Sequence, residues 1–166
     1  MTQLTRQKLI KMLKDKIAAE GGPKQISGCH GVLIEAASLG QAKEKDLLNA
    51  SIAAEFFYSA LHSHYWPGKG QGADIILGDY YGSIAIAYAA KFKDKTVLSV
   101  FCQAIQAATD AKDGKHKVAG RLAKIYGASA YVGAYLAGLN GTHLKESYEK
   151  GEKEGLQIEK SRFSKN

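Results

Sequence analysis

From Ser51 to Leu61 the chain reads as a helix that is apolar on nearly every side, with Ile52, Ala53, Ala54, Phe56, Phe57, Tyr58, Ala60 and Leu61 broken only by small polar residues and Glu55. A helix that is hydrophobic all round has to be enclosed by other elements. This run therefore predicts a central, buried helix with the rest of the fold wrapped around it. It runs into His62-Ser63-His64-Tyr65 and, after a short connection, is followed by a second apolar segment, Ile75-Ile76-Leu77-Gly78-Asp79-Tyr80-Tyr81.

The remaining segments carry the same helical signature, and no strand pattern competes with it. A first helix is expected from Thr2 to Ala19, with Leu9, Met12, Leu13 and Ile17 on one stripe, stopped by Gly21-Gly22-Pro23. Others follow at Ile26–Leu39, Lys43–His64, Ala73–Phe92, Lys95–Ala108 and Val118–Leu139. Trp66 to Gly72 and Asp110 to Lys117 read as loops. Asn140-Gly141 is expected to supply a left-handed cap to the sixth helix, and Thr142 to cap the last. In that helix Glu146–Lys150 and Glu149–Lys153 have the favourable i,i+4 order. The charged stretch after Ile158 reads as a frayed tail. The expectation is all-α, a single helical bundle over 1–158 with a charged tail at 159–166.

The chain has 166 residues, enough for one domain with a real core, and 45% hydrophobic content fits a globular protein. Cys29 and Cys102 lie far apart in apolar segments, which predicts buried thiols and a reducing compartment. The polar start and the absence of a spanning-length apolar stretch predict a cytoplasmic protein. A net charge of +7 raises nucleic-acid binding, but the lysines are interleaved with acids and no helix-turn-helix, zinc-finger or aromatic RNA-binding pattern appears, so no nucleic-acid partner is expected.

The order of short motifs resembles the all-α isoprenyl diphosphate synthases, the polyprenyl synthetase family. There an apolar helix ends in Leu-Ile-His-Asp-Asp-x-x-Asp and the next carries Gly-Asp-Tyr, as Gly78-Asp79-Tyr80 does here. Gly21-Gly22-Pro23-Lys24 falls where the family has Gly-Gly-Lys-Arg-x-Arg-Pro. Arg121-Leu122 takes the place of its Lys-Thr pair, and Gly133 to Gly138 that of its Gly-Ala-x-x-Ala-Gly helix. The stretch from Leu144 to Leu156 tracks the segment leading to the second aspartate-rich motif. The resemblance implies about the first two-thirds of that domain, a truncated fold of about seven helices.

The departures all concern chemistry. Prenyl transfer ionises an allylic diphosphate between magnesium ions held by two sets of carboxylates. Ser63, His64 and Pro67 stand where the first set belongs, and the second set is expected beyond the end of this sequence. Only Lys24 is left of the basic site. The resemblance thus implies a chain that is not catalytic alone: the small regulatory subunit of a heteromeric polyprenyl diphosphate synthase. Such a subunit is needed for the activity and product length of a large catalytic partner. No cofactor is expected in this chain, magnesium being held by the partner, and whether the chain alone forms a homodimer stays open in the sequence.

Individual residues keep two readings. Phe56, Phe57 and Tyr58 are either product-length residues flooring a tunnel or core packing. His62, Ser63, His64 and Asp79 mark a vestigial metal-site region, and the i,i+2 spacing of the histidines is wrong for a helical metal pair. Lys24 and Arg121 either keep diphosphate contacts or are solvated surface. Tyr80, Tyr81 and Tyr88 are either a partner-facing stripe or core. The alternative to the subunit is a free-standing protein that binds a prenyl lipid or a prenyl diphosphate product.

Overall fold

The computed structural model describes residues 3–65, 71–110 and 117–164, and among them the chain is helical with no strand. Seven helices follow in order: α1 (Gln3–Ala19), α2 (Cys29–Ala37), α3 (Glu44–Tyr65), α4 (Gln71–Ala89), α5 (Thr96–Asp110), α6 (Lys117–Leu136) and α7 (Thr142–Phe163).

α3 is the axis, as its composition predicts. Every residue from Ala50 to Leu61 is buried, and α1, α2, α4, α5 and α6 pack around it. Successive aromatics on α3 anchor different neighbours. Phe56 meets Tyr81 of α4 with ring centroids 5.6 Å apart, and Phe57 stacks on Phe101 of α5 at 5.1 Å. Each such side chain contributes about 1.5–3 kcal/mol when taken from water. α7 approaches α6 closely because it presents glycine: a Cβ at Gly155 would stand 2.5 Å from the Tyr126 ring, well inside van der Waals contact.

Several boundaries differ from expectation for identifiable reasons. α2 begins at Cys29 rather than Ile26, because Gly28 is left-handed (φ 102°) and the amides of Ser27 and Gly28 turn to Glu55. α6 ends at Leu136 with Gly138 (φ 86°) as its left-handed residue. The Leu139 amide closes that end on the Ala134 carbonyl at 3.1 Å. Gly141 therefore starts α7 instead of ending α6, and Thr142 makes no side-chain cap there. α7 does not fray at Ile158 but continues to Phe163, with Glu159 fully buried. Lys150 bonds Glu35 and faces Glu154, not Glu146. Cys29 is buried as expected, whereas Cys102 lies exposed on α5. The expected loop at 66–70, including Pro67, and most of the connection at 111–116 lie outside the described residues; Gln71 and Gly72, expected in that loop, already belong to α4. Among the described residues no helix is long and apolar enough to cross a membrane.

Candidate functional site

The single carboxylate of the apolar run organises one side of the bundle. Glu55 Oε2 accepts the Ser27 amide at 2.6 Å, and Oε1 accepts the amides of Gly28 (3.2 Å) and His30 (3.0 Å). His30 Nδ1 lies 2.7 Å from the same Oε1. The first amides of a helix have no partners within it, so a fully buried carboxylate from α3 caps α2 from a distance. Burial alone would push the Glu55 carboxyl up. The hydrogen bonds and charge of His30, with the Ser27 contact, outweigh it and hold the group below the usual carboxylate range.

A second buried carboxylate stands beside the first. Glu159 of α7 accepts the Tyr58 hydroxyl at 3.0 Å, the Tyr126 hydroxyl at 3.0 Å and Arg162 at 2.9 Å. Arg162 also donates to the Ser27 carbonyl. That carbonyl lies 2.9 Å from the Tyr126 hydroxyl, whose one proton it shares with Glu159. Burial, reinforced by nearby negative groups, raises both phenols well above their ordinary range. They therefore remain donors. Through these bonds the last turns of α7 are tied to α3, α6 and the approach to α2.

Above this network opens a cavity of about 660 Å³, within the ~300–1,000 Å³ range of small-molecule sites. Ser59, His62 and Ser63 of α3 supply polar lining, and Ile26, Leu77, Tyr81 and Phe163 apolar lining; Tyr58, Glu159 and Arg162 also line it. His62 stacks on Tyr58 with centroids 5.9 Å apart. Burial pushes its pKa down, although Glu159 and Asp74 pull the other way.

The residues singled out from the sequence separate into groups. Tyr58, His62 and Ser63 share the cavity, whereas Phe56 and Phe57 are core side chains that do not line it. His64 turns to α4, its Nε2 3.3 Å from Asp79 Oδ1. Gly78 makes room for it, since a Cβ there would lie 2.8 Å from that nitrogen. The two histidines thus serve different faces, and no group of three or more metal-ligating side chains occurs among the described residues. Lys24 is exposed, and neither it nor Arg121 lines the cavity. Arg121 is buried; it donates to the carbonyls of Ala108 and Thr109 at the end of α5 and covers the Tyr65 ring at 4.3 Å.

The tyrosines of α4 do not form one stripe. Tyr81 and Tyr88 are buried, and the Tyr88 hydroxyl donates to the Glu20 carboxylate. Tyr80 is exposed, donating to the Glu20 carbonyl. Exposed with it on α4 are Ile75, Ile76 (72% accessible), Leu77 and Ile86.

No protein-family model and no curated protein matches this sequence. Solved structures do. The chain superposes on geranylgeranyl pyrophosphate synthase from Lactobacillus brevis with a TM-score of 0.64 and 18% identity, over 93% of this chain and 54% of that one. It also superposes on a mint heterotetrameric geranyl pyrophosphate synthase, a deletion mutant in complex with ligands. There the TM-score is 0.62 and the identity 15%, over 94% of this chain and 73% of that one. The fold is that of the isoprenyl diphosphate synthases, all-α as the sequence predicts. At such identities the likeness is one of fold, and the chain spans about half the length of the Lactobacillus brevis enzyme.

Proposed function

We propose that this chain is a non-catalytic subunit of a heteromeric polyprenyl diphosphate synthase, acting on the activity and product length of a large catalytic partner that holds the magnesium. The observation that carries the reading is the outer face of α4. A soluble-exposed helix normally turns polar residues outward, yet here Ile75, Ile76, Tyr80 and Ile86 are exposed together. Exposed apolar residues gathered on one element mark an interaction site. One of the structures sharing this fold is itself a heterotetrameric synthase.

The chemistry of the cavity supports the same reading. The one carboxylate among its described lining residues, Glu159, is engaged by Tyr58, Tyr126 and Arg162, while α3 presents Ser63 and His62 there. Tyr58, the one member of the aromatic trio that lines the cavity, is the residue assigned to product length.

The test is co-expression with a polyprenyl synthase chain bearing both aspartate-rich motifs. The two should co-elute, and prenyl transfer should require both. Ile76→Glu should abolish the complex while leaving the melting of this chain within about 0.5 kcal/mol of the parent, as exposed substitutions do. Tyr58→Ala in an assembled complex should lengthen the product. A compact monomer that ignores the catalytic chain overturns the assignment. A homodimer through α4 that never exchanges with that chain does so too.

A further inference from the structure

We infer that the cavity between α3, α4 and α7 binds an uncharged amphiphile, with a hydroxyl or carbonyl head against His62 and Ser63 and a hydrocarbon body against Ile26, Leu77, Tyr81 and Phe163. The inference rests on the cavity alone and holds whether or not a partner subunit is bound.

Charge balance among the described lining residues favours a neutral ligand over an anionic one. The one Lys or Arg side chain among the described lining residues, Arg162, stands 2.9 Å from the carboxylate of Glu159, so the pair contributes no net charge. It also donates to Tyr58, Tyr126 and the Ser27 carbonyl. Asp74 at the start of α4 adds a negative field at His62. A diphosphate entering this space would meet no unneutralised positive group among the described lining residues, and an anion transferred from water without one is strongly disfavoured.

The polar side of the cavity remains open to a neutral head. The Ser59 hydroxyl donates to the Glu55 carbonyl at 2.8 Å, which leaves its lone pairs for a donor. His62 packs on Tyr58, and neither it nor Ser63, which also lines the cavity, makes a side-chain hydrogen bond to a described residue. A neutral imidazole offers one N–H donor and one acceptor nitrogen, which matches a hydroxyl that both gives and takes. The rest of the lining includes Ile26, Leu77, Tyr81 and Phe163, and a small-molecule site is built of such mainly apolar groups with a few placed polar atoms.

Farnesol and farnesyl diphosphate, titrated calorimetrically into the isolated chain with and without magnesium, test the inference. Farnesol should bind saturably at one site, at least about tenfold more tightly than the diphosphate. His62→Phe keeps the ring stacked on Tyr58 but removes both nitrogens, and should weaken farnesol about tenfold, the scale of one lost hydrogen bond. Leu77→Lys, at a partly exposed lining position, should narrow the preference for alcohol over diphosphate by about tenfold. Tighter binding of the diphosphate to the parent chain overturns the inference. So does an absence of saturable binding of farnesol, or an unchanged farnesol affinity in a His62→Phe protein that melts like the parent.

Discussion

Glu55 and His62 sit about two turns apart on the same helix, and the structure treats them in opposite ways. Glu55 is fully buried and accepts from three amides and an imidazole. His62 lines open space and makes no hydrogen bond to a described residue. A buried ion left without partners costs several kcal/mol, so its neighbours are arranged to satisfy it completely. A polar group beside a cavity carries no such demand, and its free atoms are available to something that enters. The first pattern holds a fold together. The second leaves polar atoms facing open space.

The largest effect should come from the satisfied region. Glu55→Ala leaves the Ser27, Gly28 and His30 amides and the His30 ring without their acceptor. It should cost about 3–5 kcal/mol, read by urea unfolding, with α2 losing its amide protection first. A loss under about 1 kcal/mol would mean that water replaces the carboxylate and that the contrast is false. The same group sets a pH dependence. Its folded pKa lies below the unfolded value near 4.5, so its stabilisation is complete above that pH and is lost as pH falls through the folded value. Stability measured from about pH 6 down to about pH 3 should therefore fall less steeply in Glu55→Gln than in the parent.

Tyr58→Phe comes next. Glu159 loses one of its donors but keeps Tyr126 and Arg162, for an expected cost of about 1–2 kcal/mol in melting experiments. The smallest change belongs to His64→Ala. That side chain pairs only with Asp79, itself largely exposed, and exposed pairs contribute roughly 0–1 kcal/mol. If His64→Ala proved as damaging as Tyr58→Phe, the α3–α4 contact would be structural rather than peripheral.

The central helix was legible because nothing else accommodates an all-round apolar run, and the fold followed from the order of short motifs. The two carboxylate networks were not read, since their partners are remote in sequence: Ser27 to His30 for Glu55, Tyr58 and Tyr126 for Glu159. Signals existed. A lone acid inside an apolar run is a buried acid in need of donors. Leu144, Gly151, Gly155 and Glu159 recur at helical spacing, which places Glu159 on the buried face of α7 and not in a tail. Local charge density hid this, because Glu159 is flanked by lysine and other polar residues. Cys102 misled for the opposite reason: its neighbours are apolar, but its own side of α5 faces outward.

The chain shares the synthase fold; the proposed subunit role requires that it have no synthase chemistry of its own. The direct measurement is a prenyl-transfer assay of the pure chain with magnesium, isopentenyl diphosphate and farnesyl diphosphate, in material freed of host synthase. No elongated product is expected from the chain alone, and elongation is expected once a catalytic chain that binds the α4 face is added. Sustained turnover by the chain alone, co-purifying with it through successive columns, would contradict the subunit role.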